Sequence, residues 1–463
     1  MTTSEPWTER LRALWRRPLS FTSLVPVGTT PGTDLAARIA ALAPMLKAGL
    51  ASVGGLHTFR LVAAPPELPG GAARALLNFV HDGPLDPTLS DVVAAVGEPL
   101  AMAFAGADFS GRRDDLPQLL VDHRVPDLTF HLGAINKSAR DVLAESRLVD
   151  ALEAFSDAQL AGGSWRPDTP AETIRRELRA HVLSLPLDSG LPRSPAPELP
   201  WTRRLLRFLD LLATFAFPSI GVLAVHIQKA IGRIAKPWLR RLAWAAYSLW
   251  WIYGAFFTGA AFLFVRFLEI VEPDIVAAQP SANKIMRIEA TEDLTITNEV
   301  TYWFPVKPTW VRRVLLRVIL WGSERGCRHF WTNGALADID TIHYARILQI
   351  DGGRTMLFMS DYDGSLDRYM IDFLGVGSSA VIPIASNAYG CPKTRWLFNP
   401  DDPGTFGPRL TSLLRLDQLV TQVWYSAYPN LGVREILANA AVRDGLFAAE
   451  MSEADAGSWL ASL

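Results

Sequence analysis

The chain carries the motif His57-Thr-Phe-Arg60 followed by Asp82-Gly83-Pro-Leu85-Asp86, and it repeats this pattern as His343-Tyr-Ala-Arg346 followed by Asp363-Gly364-Ser-Leu366-Asp367. The histidine and the first aspartate are 25 residues apart in the first copy and 20 apart in the second. The extra residues of the first copy fall within residues 67–73, where proline and glycine predict a longer hairpin loop. Two copies of one pattern indicate an internal duplication.

Both copies predict the same order of elements, which is strand, helix, two paired strands and helix. The first copy also has a candidate closing strand at residues 127–133. This is the order of a ferredoxin-like unit, whose four-stranded sheet has helices on one face only. The predicted strands are residues 19–28, 57–64 and 75–80 in the first copy and 294–304, 341–350 and 355–360 in the second; the predicted helices are 34–53, 89–104, 310–331 and one that begins at 366.

A bare apolar sheet face needs a partner, and two such sheets in one chain can cover each other. The sequence therefore predicts an α+β fold, in which two ferredoxin-like repeats form one pseudo-twofold α+β barrel around a cavity, with an inserted apolar helical hairpin. The predicted boundaries are a basic amphipathic N-terminal helix at 1–18, repeat 1 at 19–135, a partly helical linker at 136–200, the insert at 201–272, repeat 2 at 273–390 and a helical extension at 391–463.

Composition argues against several classes of protein. The net charge of −2 over 463 residues predicts no nucleic-acid partner, since such proteins usually carry a strongly basic domain. The two cysteines, Cys327 and Cys391, have a spacing that predicts neither a disulfide framework nor a zinc site. The first ten residues lack the apolar stretch of a secretory signal. The sequence also lacks the phosphate-binding loop, HExxH and GxSxG motifs.

The middle of the chain is apolar. Residues 242–265 contain no charge over 24 positions, which is long enough to cross about 30 Å of hydrocarbon. Residues 211–228 form a second uncharged stretch, interrupted by Pro218. The alternative for both stretches is a buried helical hairpin. Basic and aromatic residues typical of a bilayer interface flank them; the predicted membrane-binding residues are Trp201, Arg203, Arg204, Trp238, Arg240, Arg241, Trp244, Trp250 and Trp251.

The duplication constrains how this insert meets a membrane. Repeats that form one barrel must lie on the same side, so the insert crosses the bilayer twice or not at all. Two crossings would place the basic residues 229–241 at a cytoplasmic hairpin tip and the barrel outside. We favour the arrangement without a crossing, in which the helices lie in the cytoplasmic leaflet and the barrel is cytosolic.

The duplicated histidines and arginines are candidate functional residues. Side chains alternate along a strand, so one member of each His-x-x-Arg pair should face the space between the sheets and the other should face the helices. A histidine in that space, His57 or His343, could be a haem or metal ligand or a general base. The alternative is a structural histidine bonded to a nearby carboxylate, Asp82 or Asp363.

The Asp-Gly motifs also allow two interpretations. Asp-Gly at the end of a strand is a turn signal, and Asp86 and Asp367 suit the first turn of a following helix. Alternatively, Asp82 or Asp363 is an acid–base group at the mouth of the cavity. The candidate catalytic residues are therefore His57, Arg60, Asp82, His343, Arg346 and Asp363, with His57 and His343 as candidate cofactor ligands.

A duplicated ferredoxin-like barrel with an Asp-Gly motif resembles the dye-decolourising peroxidases of the dimeric α+β barrel superfamily. Their motif is Gly-x-x-Asp-Gly, and the matching stretches here, residues 79–83 and 360–364, lack the first glycine. The resemblance implies a haem held by a histidine and an aspartate that helps to cleave peroxide. Residues 416–443, together with the repeated His-x-x-Arg, also look like an uncharacterised bacterial group of such barrels.

Three functional hypotheses follow. The first is a membrane-associated, peroxidase-like oxidoreductase that uses haem and acts on a lipophilic substrate. The second is a non-enzymatic membrane-bound barrel that binds an apolar ligand or scaffolds an assembly. The third is a cofactor-free monooxygenase. The lipid bilayer is the expected partner, and an apolar small molecule and a second copy of the chain are further candidates.

Overall fold

In the computed structural model the described residues are 18–28, 32–185, 231–329, 331, 334–336, 338–375, 378–400 and 402–463. They form ten strands and thirteen helices. The strands are β1 (Leu19–Pro26), β2 (Leu56–Ala64), β3 (Arg74–His81), β4 (Thr129–Leu132), β5 (Thr297–Pro305), β6 (Ile342–Ile350), β7 (Thr355–Asp363), β8 (Thr394–Trp396), β9 (Asn399–Pro400) and β10 (Val423–Ser426). The helices are α1 (Gly32–Leu50), α2 (Leu85–Ala103), α3 (Leu116–Asp122), α4 (Ala139–Ala161), α5 (Ala171–Ser184), α6 (Pro237–Val271), α7 (Ala282–Glu289), α8 (Trp310–His329), α9 (Leu366–Leu374), α10 (Ser378–Ala385), α11 (Pro403–Asp417), α12 (Val433–Phe447) and α13 (Glu453–Leu460).

Some predictions concern residues outside this set. They are residues 1–17 of the expected N-terminal helix, the apolar stretch 211–228, and the membrane-binding candidates Trp201, Arg203 and Arg204.

The strands that the duplication predicts are present in both halves of the chain. They form two four-stranded antiparallel sheets, with the orders β1-β3-β2-β10 and β5-β7-β6-β4. In each sheet the third strand of a repeat lies between its first and second strands. The two halves therefore share one topology, as an internal duplication predicts.

The fourth strands are exchanged between the halves. β4 follows the first repeat in sequence, yet it pairs with β6 of the second sheet. β10 follows the second repeat and pairs with β2 of the first sheet. The prediction that residues 127–133 close the first repeat is therefore wrong about the partner, although the strand itself is present. Neither half alone contains the four-stranded sheet of a ferredoxin-like unit.

Both faces of each sheet are buried. On the first sheet Phe21, Phe59 and Phe79 pack against the helices α1, α2 and α3. The opposite face packs against the second sheet, because Leu24 and Val62 share an apolar cluster with residues of β5, β6 and β7. The second sheet has its own outer core with α8 to α11. The layers therefore run helix, sheet, sheet, helix.

The two sheets are stacked and do not close on each other. Among the described strands, none of one sheet pairs with a strand of the other. The mixed α+β architecture with antiparallel sheets is confirmed, whereas a closed barrel is not formed. Side chains fill the expected central cavity: apolar residues lie at one end of the interface, and a polar network occupies the rest.

The helix α6 extends away from this body over 35 residues, about 52 Å at the usual helical rise. It is the one helix within the described ranges that is long and apolar enough to span a membrane, by length and composition. Many of its large apolar side chains are exposed; Leu249, Phe256 and Leu263 are 67, 70 and 69 % accessible. Ile231 packs against Tyr247, so the chain that precedes α6 approaches its side.

The C-terminal end of α6 is fixed to the second half of the fold. Glu269 accepts hydrogen bonds from Thr394 Oγ1 and from the backbone amides of Leu397 and Phe398, at 2.9, 3.0 and 2.8 Å. Glu272, which follows the helix, forms a bidentate pair with Arg312 of α8, both contacts at 2.6 Å. The apolar helix therefore emerges from the outer layer beside the second sheet.

Candidate functional site

A β-bulge lies at each of the two duplicated histidines. Leu56 is opposite His81 and Thr58 is opposite Val80, so His57 is an extra residue in β2. His343 is the extra residue in β6 in the same way. A bulge re-aims the side chain that it contains. The predicted alternation therefore fails at both histidines, and His57 and Arg60 both contact the opposite half of the molecule.

A cluster of four rings joins the two halves. His57 Nδ1 lies 2.6 Å from Tyr428 Oη and 3.0 Å from Tyr344 Oη, and the two hydroxyls are 2.8 Å apart. The ring of His343 also lies near the tyrosine pair, with centroid distances of 6.2 and 6.1 Å to Tyr344 and Tyr428. All four residues are buried. Tyr428 lies two residues after the strand β10.

Each histidine is also paired with the aspartate of its own motif. His57 Nε2 lies 2.7 Å from Asp82 Oδ1, and His343 Nε2 lies 2.5 Å from Asp363 Oδ1. The second carboxylate oxygen of each aspartate accepts a hydrogen bond from a backbone amide. In each case this is the first amide of the helix that follows one of the exchanged strands. These amides belong to Ala139 of α4, at 2.9 Å from Asp82, and to Val433 of α12, at 2.7 Å from Asp363.

One set of donor and acceptor roles satisfies all the hydrogen bonds of His57. If Nε2–H donates to Asp82, Nδ1 is left as an acceptor for a tyrosine hydroxyl. Burial raises the pKa of Tyr344 and of Tyr428, so both stay protonated and able to donate. One tyrosine hydroxyl then donates a hydrogen bond to Nδ1 of His57, and the second tyrosine hydroxyl donates to the oxygen of the first. This assignment leaves no unpaired proton in the cluster.

The duplicated arginines meet at one aspartate, Asp361, between the sheets. The side chains of Arg60, Arg346 and Asp361 are fully buried. Arg60 pairs with one carboxylate oxygen of Asp361, and Arg346 donates to the other at 2.6 Å. Arg60 also lies 3.1 Å from Glu299. Burial lowers the pKa of Arg60 to about 10, which leaves the group charged at neutral pH.

The exchanged strands complete the surroundings of both arginines. Trp424 of β10 is directly opposite Arg60 in the ladder, with its ring centre 5.3 Å from the guanidinium carbon. Phe130 of β4 is opposite Arg346 in the same way, at 6.0 Å. Such contacts between a cation and a ring stabilise a buried guanidinium. The two copies differ at the position of Asp361. The equivalent residue of the first sheet is Val80, so the first copy has no acidic side chain there.

The six predicted catalytic residues are thus engaged with one another, with neighbouring side chains such as Asp361 and Tyr428, or with the backbone. Both ring nitrogens of His57 already have hydrogen-bond partners, and His343 is 2 % exposed. A haem-sized ligand needs a pocket of several hundred Å³. Neither histidine lines the two apolar cavities or the groove described below. The residues around His57 and His343 therefore do not fit a haem.

Two adjoining apolar cavities lie between the second sheet and its helices. Each encloses about 60 Å³, and they share Ile347, Phe358, Phe373, Val381 and Ile384. The first extends toward α11, where Leu410, Leu413 and Leu414 line it. The second extends toward α8, where Ser323, Cys327 and the nearby His131 line it. Sequence reasoning did not predict this site.

The cavities have a physical origin in the length of the covering helices. In the first half one 19-residue helix, α2, packs on the sheet. The corresponding region of the second half has α9 with nine residues and α10 with eight, separated after Gly375. Two short helices cover less of the sheet than one long helix does. The glycine and serine residues at 375–379 are the sequence signal that could have indicated this gap.

An open groove of about 430 Å³ lies elsewhere on the surface. Lys284 and Arg287 of α7 line it together with residues 63–66, 418–420 and 422. Among the membrane-binding candidates that the structure describes, Trp238, Arg240, Arg241, Trp244 and Trp251 are exposed on α6, whereas Trp250 is half-buried against Tyr247.

The fold and the site define an α+β protein with two stacked antiparallel sheets, exchanged fourth strands and a long exposed apolar helix. Comparison of the chain with family models, with curated proteins and with solved structures finds no match. The functional conclusion therefore depends on the geometry of this chain alone.

Proposed function

We propose that the protein is a membrane-anchored, non-enzymatic binding protein for an apolar ligand, such as a single acyl chain. The observation that carries this proposal is the pair of adjoining apolar cavities beside the second sheet. Small-molecule sites are typically apolar concavities with few polar groups. Apolar cavities of this kind stay dry and take up hydrocarbon in preference to water.

The shape of the site supports an extended ligand. The two cavities meet at Phe358 and Val381, so together they form a slot that runs from α11 to α8. Each is too small for a polycyclic molecule and large enough for a short stretch of hydrocarbon chain. The polar side chains at the α8 end, Ser323 and His131, suit the end of such a chain that carries a head group.

The anchor of the protein is close to this slot in the fold. Ala388 lines the first cavity, and the segment that follows it supplies Thr394, Leu397 and Phe398 to the base of α6. A helix with apolar side chains exposed on most of its surface is stable in lipid rather than in water. The slot is therefore positioned near the source of an apolar ligand.

The polar cluster supports a structural role rather than a catalytic one. His57 and His343 connect the Asp-Gly motifs to the tyrosines that join the two halves, and the arginines hold the sheets together through Asp361. A general base must reach a proton on its substrate. These side chains reach one another instead.

A binding titration tests the proposal. The full chain in mild detergent is titrated with a fluorescent fatty acid, alongside Val381→Trp, which fills the junction of the cavities, and Ile371→Trp, which adds the same ring at an exposed position of α9. We expect Val381→Trp to lose at least tenfold in affinity, about 1.4 kcal/mol, while Ile371→Trp binds as the wild type does. Equal affinity in all three proteins would overturn the proposal.

A further inference from the structure

The outer face of α8 is apolar and exposed to an unusual degree. Trp310, Val314 and Val318 are 72, 53 and 47 % accessible, and Trp321 continues the same row at half burial. At 100° per residue these four side chains fall within about 80° of the helix circumference. They therefore form one continuous stripe along the helix, which we call the α8 stripe.

Basic residues border the α8 stripe. Arg325 lies over the ring of Trp321, 4.8 Å from its centre, and Arg313 and Arg317 are on the flank nearest the sheet. The one acidic residue between Trp310 and His329 is Glu324, which is buried and paired with Arg328. The exposed surface of this helix is thus apolar in its centre and positive at its edges.

The α8 stripe begins beside the base of the apolar helix. Arg312, in the first turn of α8, forms the bidentate pair with Glu272, the residue after α6. Lys307, three residues before α8, lies 3.0 Å from the same carboxylate. Trp310 is therefore one turn or less from the residues that fix the end of α6.

We infer that the α8 stripe rests on the surface of a bilayer that contains anionic lipid. The inference depends on the membrane anchor in the proposed function. Tryptophan and basic side chains on one face of a helix are the composition that binds the headgroup region, with arginine attracted to anionic phosphate and the apolar residues inserted. Continuity with α6 fixes which side of the domain approaches the membrane.

This orientation places the apolar slot directly behind the membrane surface. Ser323 and Cys327, on the inner face of α8, line the second cavity. The helix that contacts the lipid is thus also a wall of the ligand site. A ligand could then exchange with the bilayer without crossing the aqueous phase.

Fluorescence of the full chain in lipid nanodiscs tests the inference. A cysteine that carries an environment-sensitive fluorophore is placed on the α8 stripe (Val314→Cys), on α6 (Phe256→Cys), or on the opposite outer layer (Met102→Cys, 51 % exposed). The native cysteines Cys327 and Cys391 are buried, and wild type treated with the same fluorophore reagent measures the background from them. We expect lipid-borne quenchers to quench residues 256 and 314 strongly and residue 102 weakly, with quenching at 314 greater in anionic than in zwitterionic nanodiscs.

The three positions separate the outcomes. Quenching at 256 with none at 314 would overturn this inference and leave the anchor intact, whereas no quenching at either position would overturn the anchor as well. If a second copy of the chain covers the α8 stripe, emission at 314 shifts to the blue in detergent without lipid and depends on protein concentration, which also contradicts the inference. The fatty-acid titration remains an independent test of the ligand site.

Discussion

Arg60 of the first sheet and Asp361 of the second sheet form an ion pair across the sheet interface, with both side chains fully buried. Arg346 holds the other oxygen of the same carboxylate. One aspartate therefore balances two guanidinium groups that come from the two copies of a duplicated motif. Glu299, which is partly exposed, supplies the second negative charge on the side of Arg60.

Removal of the central carboxylate should destabilise the protein strongly. Asp361→Asn leaves two buried cations with less compensation, and the loss of one partner of a buried pair typically costs about 3–5 kcal/mol. The matched control is Asp340→Asn, which breaks the exposed pair with Arg434 and should cost no more than about 1 kcal/mol. The free energy of unfolding from denaturant titration measures both. Equal costs would show that the central pair does not hold the sheets together.

The tyrosine pair should contribute to stability and not to ligand binding. Tyr428→Phe removes a hydroxyl beside His57, but the hydroxyl of Tyr344 remains within 3.0 Å of the same nitrogen. We therefore expect a loss of about 1 kcal/mol in the free energy of unfolding, with unchanged affinity for the fatty acid. Tyr389→Phe, at an exposed position, is the control and should have no measurable effect. A lost affinity in Tyr428→Phe alone would assign the cluster to the ligand site.

The purified protein should be colourless. Both nitrogens of His57 are bonded, and the cavities near the second sheet are much smaller than a haem. An absorption spectrum of protein extracted in mild detergent, from cells supplied with a haem precursor, is expected to lack a Soret band. A band that disappears in His343→Ala or His57→Ala, at unchanged yield of folded protein, would instead support a haem protein of the peroxidase type.

A half-buried aspartate, Asp417, should make stability depend on pH. Burial raises the pKa of Asp417 to about 7, an effect that the neighbouring Lys284 offsets only in part. The folded state thus keeps a proton that the unfolded chain, with a carboxyl pKa of about 4, has lost. This group therefore makes stability fall as pH rises from about 4 to about 7, by at most about 1.4 kcal/mol per pH unit.

Asp417→Asn should remove that contribution. Relative to wild type, the variant is expected to gain stability progressively between about pH 4 and about pH 7, as measured by the midpoint of thermal unfolding at each pH. Asp108→Asn, an exposed carboxylate, is the control. The same difference in midpoint at every pH would contradict the assigned protonation of Asp417.

The sequence was sufficient to predict the strands of the two repeats, but not which strand each fourth strand pairs with. Local periodicity and turn residues predict β1 to β3 and β5 to β7 because each strand has eight or more residues with a clear pattern. β4 and β10 have four residues each, and their partners lie more than 200 residues away in sequence. Nothing local distinguishes a strand that closes its own repeat from one that crosses to the other, so the exchange was missed.

The candidate site was predicted in part, for a related reason. The pairing of His57 with Asp82 and of His343 with Asp363 was one of the two interpretations that the motifs allowed, and the structure has it. The direction of the histidine side chains was not predictable, because a single extra residue in a strand reverses the alternation. The apolar slot depends on how α9 and α10 pack over the sheet, which is a tertiary property with only a weak sequence signal at residues 375–379.

The most direct test of the account is photocrosslinking with a diazirine-bearing fatty acid bound to the full chain in nanodiscs. We predict that the crosslinked peptides contain residues that line the slot, chiefly Phe358, Phe373, Val381 and Ile384, and that Val381→Trp reduces this labelling whereas Ile371→Trp does not. Labelling confined to α6, or unchanged in Val381→Trp, would contradict the claim that this protein holds an apolar ligand beside its second sheet.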